Sequence, residues 1–169
     1  MVRPKLLKRR VFQNHTEDSE VFMKDCITTI EKIDPNSSLE NLKSFLNNAG
    51  QSLQTFRYFE ERPIFCVKNH AATFLMFLNK TAVGYSHLDP SDNKLWLGIC
   101  ISEGYTNKKL GAQLMGHTLR YAKLNKLNEL IHLSAYKTNY SAIRLYEKHG
   151  FVKFDENENS FFMRKPFYT

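Results

Sequence analysis

The residues best placed to do chemistry lie in the last third of the chain. Ile99-Cys100-Ile101-Ser102-Glu103-Gly104-Tyr105 runs into Thr106-Asn107-Lys108-Lys109-Leu110-Gly111-Ala112. Asn139 follows, and then Ala142-Ile143-Arg144-Leu145-Tyr146-Glu147-Lys148-His149-Gly150-Phe151. The first stretch reads as a strand, a basic loop and the start of a helix. A helix start leaves backbone N–H groups without intrahelical acceptors, and the helix dipole adds attraction, so this junction can hold an anion. Gly111 and Ala112 are small enough to let backbone approach an oxygen-rich ligand, and Lys108 and Lys109 add positive charge beside it. The loop carries neither the Walker pattern nor the Rossmann glycine triplet, so a plain turn with solvated lysines stays open. Asn139 supplies an amide at a helix start, and Tyr146 stands one turn before that helix ends. In isolation the first is an ordinary N-cap and the second a core tyrosine. Together these residues fit a phosphorylated ligand and one proton donor.

The elements around them must position that chemistry. The 169 residues are enough for one domain with a real core and no metal or disulfide staple, so residues 1–169 read as a single unit. Residues 1–10 form a basic arm: Arg3, Lys5, Lys8, Arg9 and Arg10 precede the first acid, Glu17, and carry five of the net +7 charges. With so little excess charge on the remainder, nucleic acid is not the expected partner. No apolar run is long enough to span a membrane and no secretory core precedes the domain, so the chain reads as cytoplasmic. Cys26, Cys66 and Cys100 are widely spaced and read as reduced structural thiols, and no metal site is expected.

A short strand is expected at 9–13 and a helix at 16–33, where Phe22, Cys26, Ile30 and Ile33 recur at helical spacing. A capping box, Ser37-Ser38-Leu39-Glu40, opens a second helix with Leu39, Leu42, Phe45 and Leu46 as its apolar stripe, stopped at Asn48-Ala49-Gly50. Residues 51–70 read as a partly helical connection lying over a sheet edge. Strands at 73–78, 82–88 and 95–101, joined by turns at 79–81 and 89–93, make an antiparallel meander. A helix at 109–125, a strand at 129–135, a helix at 140–149 and a hairpin of 151–154 with 161–164 complete the pattern. This predicts an α/β fold: a mixed, mainly antiparallel sheet with helices on both faces. Ligands in such sheets bind where strands diverge, which makes the 101–109 junction the candidate site.

Residues 72–154 resemble the GNAT superfamily of acyl-CoA-dependent N-acetyltransferases. The pyrophosphate loop of that family, Gln/Arg-x-x-Gly-x-Gly/Ala, falls on Thr106-Asn107-Lys108-Lys109-Leu110-Gly111. Its downstream signature, Asn followed by Ala-Ile-x-Leu-Tyr-Glu-Lys-x-Gly-Phe, matches Asn139 and residues 142–151 almost letter for letter. Thr106 replaces the Gln or Arg, and Lys109 replaces the first glycine. A Cβ at 109 crowds a pyrophosphate if the position needs positive φ, although a helix-starting Lys is not itself strained and its ammonium attracts phosphate.

The resemblance implies a GNAT-like fold and acetyl-CoA as acyl donor. The fourth strand would splay from the fifth, and Ile99 and Ile101 would pair with the pantetheine arm. Thr106 to Ala112, through Asn107, Lys108, Lys109, Leu110 and Gly111, would cradle the pyrophosphate. Asn139 would bond the pantetheine arm or its neighbourhood, and Tyr146 would protonate the departing thiolate. His87 shares a strand face with Tyr85 and has the right unperturbed pKa for a general base, with Glu103 the second choice; a strand histidine bonded to its neighbours is the alternative. Residues 56–65 would wall the acceptor side. The expected reaction is direct acetyl transfer to the primary amine of a small acceptor. Similarity of residues 83–89 and 96–99 to members acting on amino-sugars suggests an amino-sugar nucleotide. A homodimer is compatible with this reading. The alternatives are a non-catalytic acyl-CoA-binding module, motivated by Lys109, and an enzyme acting on a protein N-terminus such as that of a ribosomal protein.

Overall fold

The computed structural model describes residues 27–37, 39–60, 62–127 and 130–167. The strand expected at 9–13, and the expected helix at 16–33 up to residue 26, lie outside the described residues. Within them, β1 (Thr28–Lys32) is a strand and not the end of a helix. Two threonines and an isoleucine, branched at Cβ, favour extended backbone, and antiparallel pairing with β2 supplies the ladder.

β2 (Ala72–Leu78), β3 (Thr81–Ser91) and β4 (Lys94–Ile101) form the expected meander. All seven residues of β2 are buried, as befits a strand covered on both faces. The β3–β4 turn is tighter than expected. It consists of Asp92 and Asn93 alone, both with positive φ (54° and 57°), which leaves Asp89, Pro90 and Ser91 on the strand. β5 (Leu130–Tyr136), β6 (Val152–Glu156) and β7 (Ser160–Pro166) complete a seven-stranded sheet in the order β1-β2-β3-β4-β5-β7-β6. The β4–β5 pair is parallel and the others are antiparallel.

Helices cover both faces. α1 (Glu40–Asn48) buries Leu42 and Phe45 against Leu75, Phe77 and Tyr85. The capping box is not used: no side-chain cap bond opens α1, and the Ser37 hydroxyl donates instead to the Asp34 carbonyl at 2.7 Å. α2 (Leu110–Leu124) buries Leu110, Leu114, Met115, Thr118, Leu119 and Ala122 in the larger core with Phe74, Met76 and Leu88. Each large side chain buried this way stabilises the fold by roughly 1.5–3 kcal/mol. One polar pair crosses that interface, Ser86 with Thr118 at 2.7 Å, and Thr118 also reaches the Leu114 carbonyl at 2.9 Å, so both hydroxyls are satisfied. α3 (Tyr140–Lys148) adds Ile143 and Tyr146 to the same core.

Two short 3₁₀ helices, Gly50–Gln54 and Ile64–Asn69, bracket the aromatic connection. It packs on the middle of the sheet and not over its edge: Phe56 and Phe59 lie 5.6 and 5.3 Å from the Tyr85 ring. Phe56, Tyr58 and Phe59 stack among themselves and onto Tyr85 and His87 of β3, ring contacts that the sheet face supplies. Among the described residues no helix is long and apolar enough to cross a membrane.

Candidate active site

β4 and β5 stay paired for only two residues, Leu95 with Ile131 and Trp96 with His132. From Leu97 onward the strands part, and the outer edge of β4 loses its ladder on that side. The gap opens into a cleft of about 850 Å³ that reaches from the start of α2, past α3, to the aromatic connection. Ile99 and Ile101, both half-buried, line it as expected for an edge that another extended chain could pair with.

The loop at the α2 start explains itself from its dihedrals. Asn107 and Lys109 both adopt left-handed backbone, with φ of 60° and 61°. Lys109 is the N-cap, and its carbonyl accepts the first intrahelical bond, from the Gln113 amide at 3.2 Å. The amides of Leu110, Gly111 and Ala112 therefore precede any intrahelical donor and have no acceptor within the helix. Lys109 thus does stand where a glycine is easiest, and the expectation that it would be unstrained is corrected. Left-handed backbone costs a residue with a side chain about 1–2 kcal/mol. Lys109, Asn107, Thr106, Gly111 and Ala112 line the cleft. Two residues expected there do other work: Leu110 is buried in the core, and the Lys108 ammonium donates to the Gly104 carbonyl at 3.2 Å above the Tyr105 ring. Neither residue is among those lining the cleft. A Cβ at Gly111 would meet Leu145 on α3 at 3.4 Å, an ordinary van der Waals contact, so packing alone does not demand the glycine. Glu103 is not at the cleft. Its carboxylate accepts from the Gln51 amide at 3.0 Å and its own amide bonds Ala49, tying the loop to the end of α1, so it drops out as a base.

α3 presents its start and one face. Asn139 caps the helix through Oδ1, which accepts from the Ala142 amide at 3.2 Å and from the Ser141 hydroxyl at 3.1 Å. Tyr146 is buried, at 7% exposure, and lines the cleft; burial, and secondarily the nearby Cys100 thiol, hold its phenol well above the usual value. Arg144 and Lys148 also face the cleft, two cations that went unassigned although their spacing of four puts them on one helix face.

The far end is built from side chains. His87 on β3 stands opposite Gly98 on β4, and a Cβ at Gly98 would run into the imidazole. The ring lies 4.0 Å from Tyr58 and 4.6 Å from His70, nearly parallel to the latter, and its buried Nδ1 has no hydrogen-bond partner among the described residues. Burial, then His70 and Arg62, push His87 far below its ordinary value, so it is neutral at neutral pH and only weakly basic. Around it runs a chain of short hydrogen bonds. Thr73 Oγ1 meets His70 Nδ1 at 2.8 Å, His70 Nε2 meets the Tyr58 hydroxyl at 2.6 Å, and that hydroxyl donates to Asp89 Oδ2 at 2.7 Å. Tyr58, Asp89, Arg57, Arg62 and Trp96 line the cleft. Asp89 was legible in principle: it alternates with Tyr85 and His87 on one strand face, but Asp-Pro-Ser-Asp-Asn reads as a turn. Among the described residues no cluster of His, Cys, Asp and Glu is arranged to hold a metal ion.

Known proteins share this fold. The family model described as Acetyltransferase (GNAT) family matches residues 38–151. An acetyltransferase of the GNAT family from Streptococcus pneumoniae is 25% identical with a TM-score of 0.66, covering 83% of this chain and 99% of that one. A PaiA N-acetyltransferase from Thermoplasma acidophilum, solved in complex with coenzyme A, is 20% identical with a TM-score of 0.65, over 83% of this chain and 99% of that one. The ribosomal-protein-S18-alanine N-acetyltransferase of Escherichia coli is 17% identical with a TM-score of 0.65, over 83% and 94% of the two chains. No curated protein matches the sequence significantly. With the family match spanning well over half its length, the splayed strands and the open helix start in place, the chain belongs to the GNAT family and is an acetyl-CoA-dependent acetyltransferase.

Proposed function

We propose that the cleft holds acetyl-CoA and a small primary amine together, and that the amine attacks the thioester directly with no covalent enzyme intermediate. The observation that carries this reading is the parting of β4 from β5 beside an uncapped helix start: one continuous gap joins a phosphate site to an aromatic pocket. The free amides of Leu110, Gly111 and Ala112, with Thr106, Asn107 and the backbone of Lys108 and Lys109, hold the pyrophosphate, and the cations of Lys109, Arg144 and Lys148 draw the phosphates in. The β4 edge at Ile99 and Ile101 pairs with the pantetheine arm, and Asn139, its Oδ1 occupied, offers its amide N–H to the same arm.

Acetyl-CoA supplies an acyl group already activated as a thioester, with a thiol near pKa 8.5 as leaving group. An alkylamine near pKa 10 is mostly protonated at neutral pH and must lose a proton before its lone pair can form the new C–N bond. His87, kept neutral by burial, accepts a hydrogen bond from the attacking nitrogen, and the proton passes on to water. As the C–S bond breaks, the Tyr146 hydroxyl donates to the sulfur. A phenol held above its usual pKa hydrogen-bonds to a developing thiolate more readily than it surrenders the proton outright, so Tyr146 assists the departure and does not make it possible. Amino-sugar nucleotides are the first acceptor class to screen, followed by amino acids, polyamines and peptide N-termini.

Calorimetry with acetyl-CoA is the first test: no binding at millimolar ligand overturns the reading. Free-thiol release across the amine panel is the second. Tyr146→Phe lowers turnover about tenfold while the acetyl-CoA dissociation constant stays within about twofold; an unchanged rate removes Tyr146 from the reaction.

A further inference from the structure

We infer that the acceptor is zwitterionic, an amine with an acidic group a few atoms away, and that Asp89 receives its ammonium while Arg62 receives its acid. The inference rests on the acetyltransferase reading and names the substrate class of its acceptor end.

The first observation is the direction of the hydrogen-bond chain. An ionised carboxylate can only accept, so the Tyr58 proton points at Asp89. With that proton committed, Tyr58 Oη must accept from His70 Nε2–H, and His70 Nδ1 must then accept from the Thr73 hydroxyl. Every donor in the chain points toward Asp89. Burial pushes His70 down to about 4 against the opposing pull of Asp89, which keeps the imidazole neutral and fixes its single N–H on the Tyr58 side. Such a chain orients Asp89, yet among the described residues it occupies only one of the two carboxylate oxygens. No ammonium or guanidinium among the described residues forms an ion pair with Asp89.

The second observation is the cation on the other side of the same ring. The Arg62 guanidinium lies 4.7 Å from the centre of the Tyr58 ring, with the Tyr58 carbonyl at 3.5 Å as its hydrogen-bond acceptor, and no described carboxylate lies within ion-pair distance of it. The neighbouring Arg57 is different, being paired with Glu60 and bonded to the Tyr136 hydroxyl at 3.4 Å. Among the described residues, the other charges near this end are Glu60 on Arg57, Asp92 in the turn and Lys94 over Trp96. One unpaired acid and one unpaired base thus flank a single phenol and both line the cleft. A ligand of one sign satisfies one and leaves the other facing a like charge; a zwitterion satisfies both.

Three probes separate the charges: propylamine, β-alanine and 2-aminoethyl phosphate, compared by kcat/KM for thiol release. The wild-type protein prefers the two acidic amines by about tenfold or more, the worth of one charge-assisted contact. Arg62→Gln brings the ratio between acidic amine and propylamine to about one. Asp89→Asn raises KM for all three by about tenfold, most of the loss appearing in KM and not in kcat. Acetyl-CoA affinity, measured for both variants, reports that the fold and the donor end are intact. A wild-type preference for propylamine, an Arg62→Gln effect equal on all three amines, or an Asp89→Asn variant with unchanged KM overturns the inference. If acetyl-CoA binds but no amine is turned over, titration of 2-aminoethyl phosphate into the CoA-saturated protein decides: binding that is lost in either variant supports the zwitterion, and absence of binding overturns it. Failure to bind acetyl-CoA at all would strike the acetyltransferase reading instead.

Discussion

The two ends of the cleft are made of different materials. The end at the α2 start is backbone: three helix amides, two left-handed residues and a strand edge, all within residues 99–112. The far end is side chain: Tyr58 meets His70 from 12 positions away and Asp89 from 31, and His87 fits only because Gly98 lies opposite it. A backbone site binds what every donor molecule has in common, its phosphates and amide arm. A side-chain site can change from one protein to the next without disturbing the first. On the proposed reading, donor affinity comes from one end and acceptor specificity from the other.

Variants that act on one end alone test whether the two ends are independent. The largest effect is expected from Gly98→Ala, whose methyl group would enter the His87 ring between two fixed strands. Overpacking of this kind costs about 1–3 kcal/mol, read as a lower unfolding midpoint, and it should displace His87 and cut thiol release while acetyl-CoA affinity stays within a few-fold. Loss of donor affinity in equal measure would show the two ends to be one unit.

An intermediate effect comes from acid. His70, pushed down to about 4 by burial, has a folded pKa below its unfolded value near 6.5, so the unfolded chain binds more protons between those limits. Its contribution is fully present above pH 6.5 and is lost as pH falls toward 4, a loss of about 1–2 kcal/mol once solvent screening of the partly exposed ring is discounted. His87 is shifted in the same direction by its burial and adds to the acid loss. Denaturant titrations at pH 7 and pH 4.5 should show the difference, and His70→Gln should flatten it. For the same reason the rate profile should rise with the acceptor amine's own ionisation and show no break near 6.5 from His87.

The smallest effect is Lys109→Gly. Relief of left-handed strain, about 1 kcal/mol, is nearly offset by the freedom glycine gives the unfolded chain. Stability should hold, and acetyl-CoA affinity should fall by no more than about fivefold, the worth of one exposed charge, with a weaker dependence on salt.

The same division governs what could be read from the amino acids. The meander, α2, α3 and the loop before α2 follow from periodicity and from motifs contiguous in sequence, whereas the splay at β4 is expected only from the family resemblance. Asn139 and Tyr146 carry recognisable spacing. Tyr58, Arg62 and Asp89 do not, because nothing local to any of them encodes the meeting of a connection, a turn-like Asp-Pro segment and a strand. β1 was misread because Ile30 and Ile33 fit a helical spacing until partners are known, and a strand's identity lies partly in the neighbour it pairs with. Lys108 and Lys109 look alike in sequence, yet backbone dihedrals send one side chain back to Gly104 and the other to the cleft.

The brevity of the β4–β5 contact has a mechanical consequence. Four strands on one side and three on the other are hinged through two residue pairs, so the sheet is two plates with a short weld. A chain lying along the open seam would extend the weld to the far end of β4. Donor binding should then stiffen the whole sheet, and amide hydrogens of β5 and β7, remote from any phosphate, should exchange more slowly once the seam is filled.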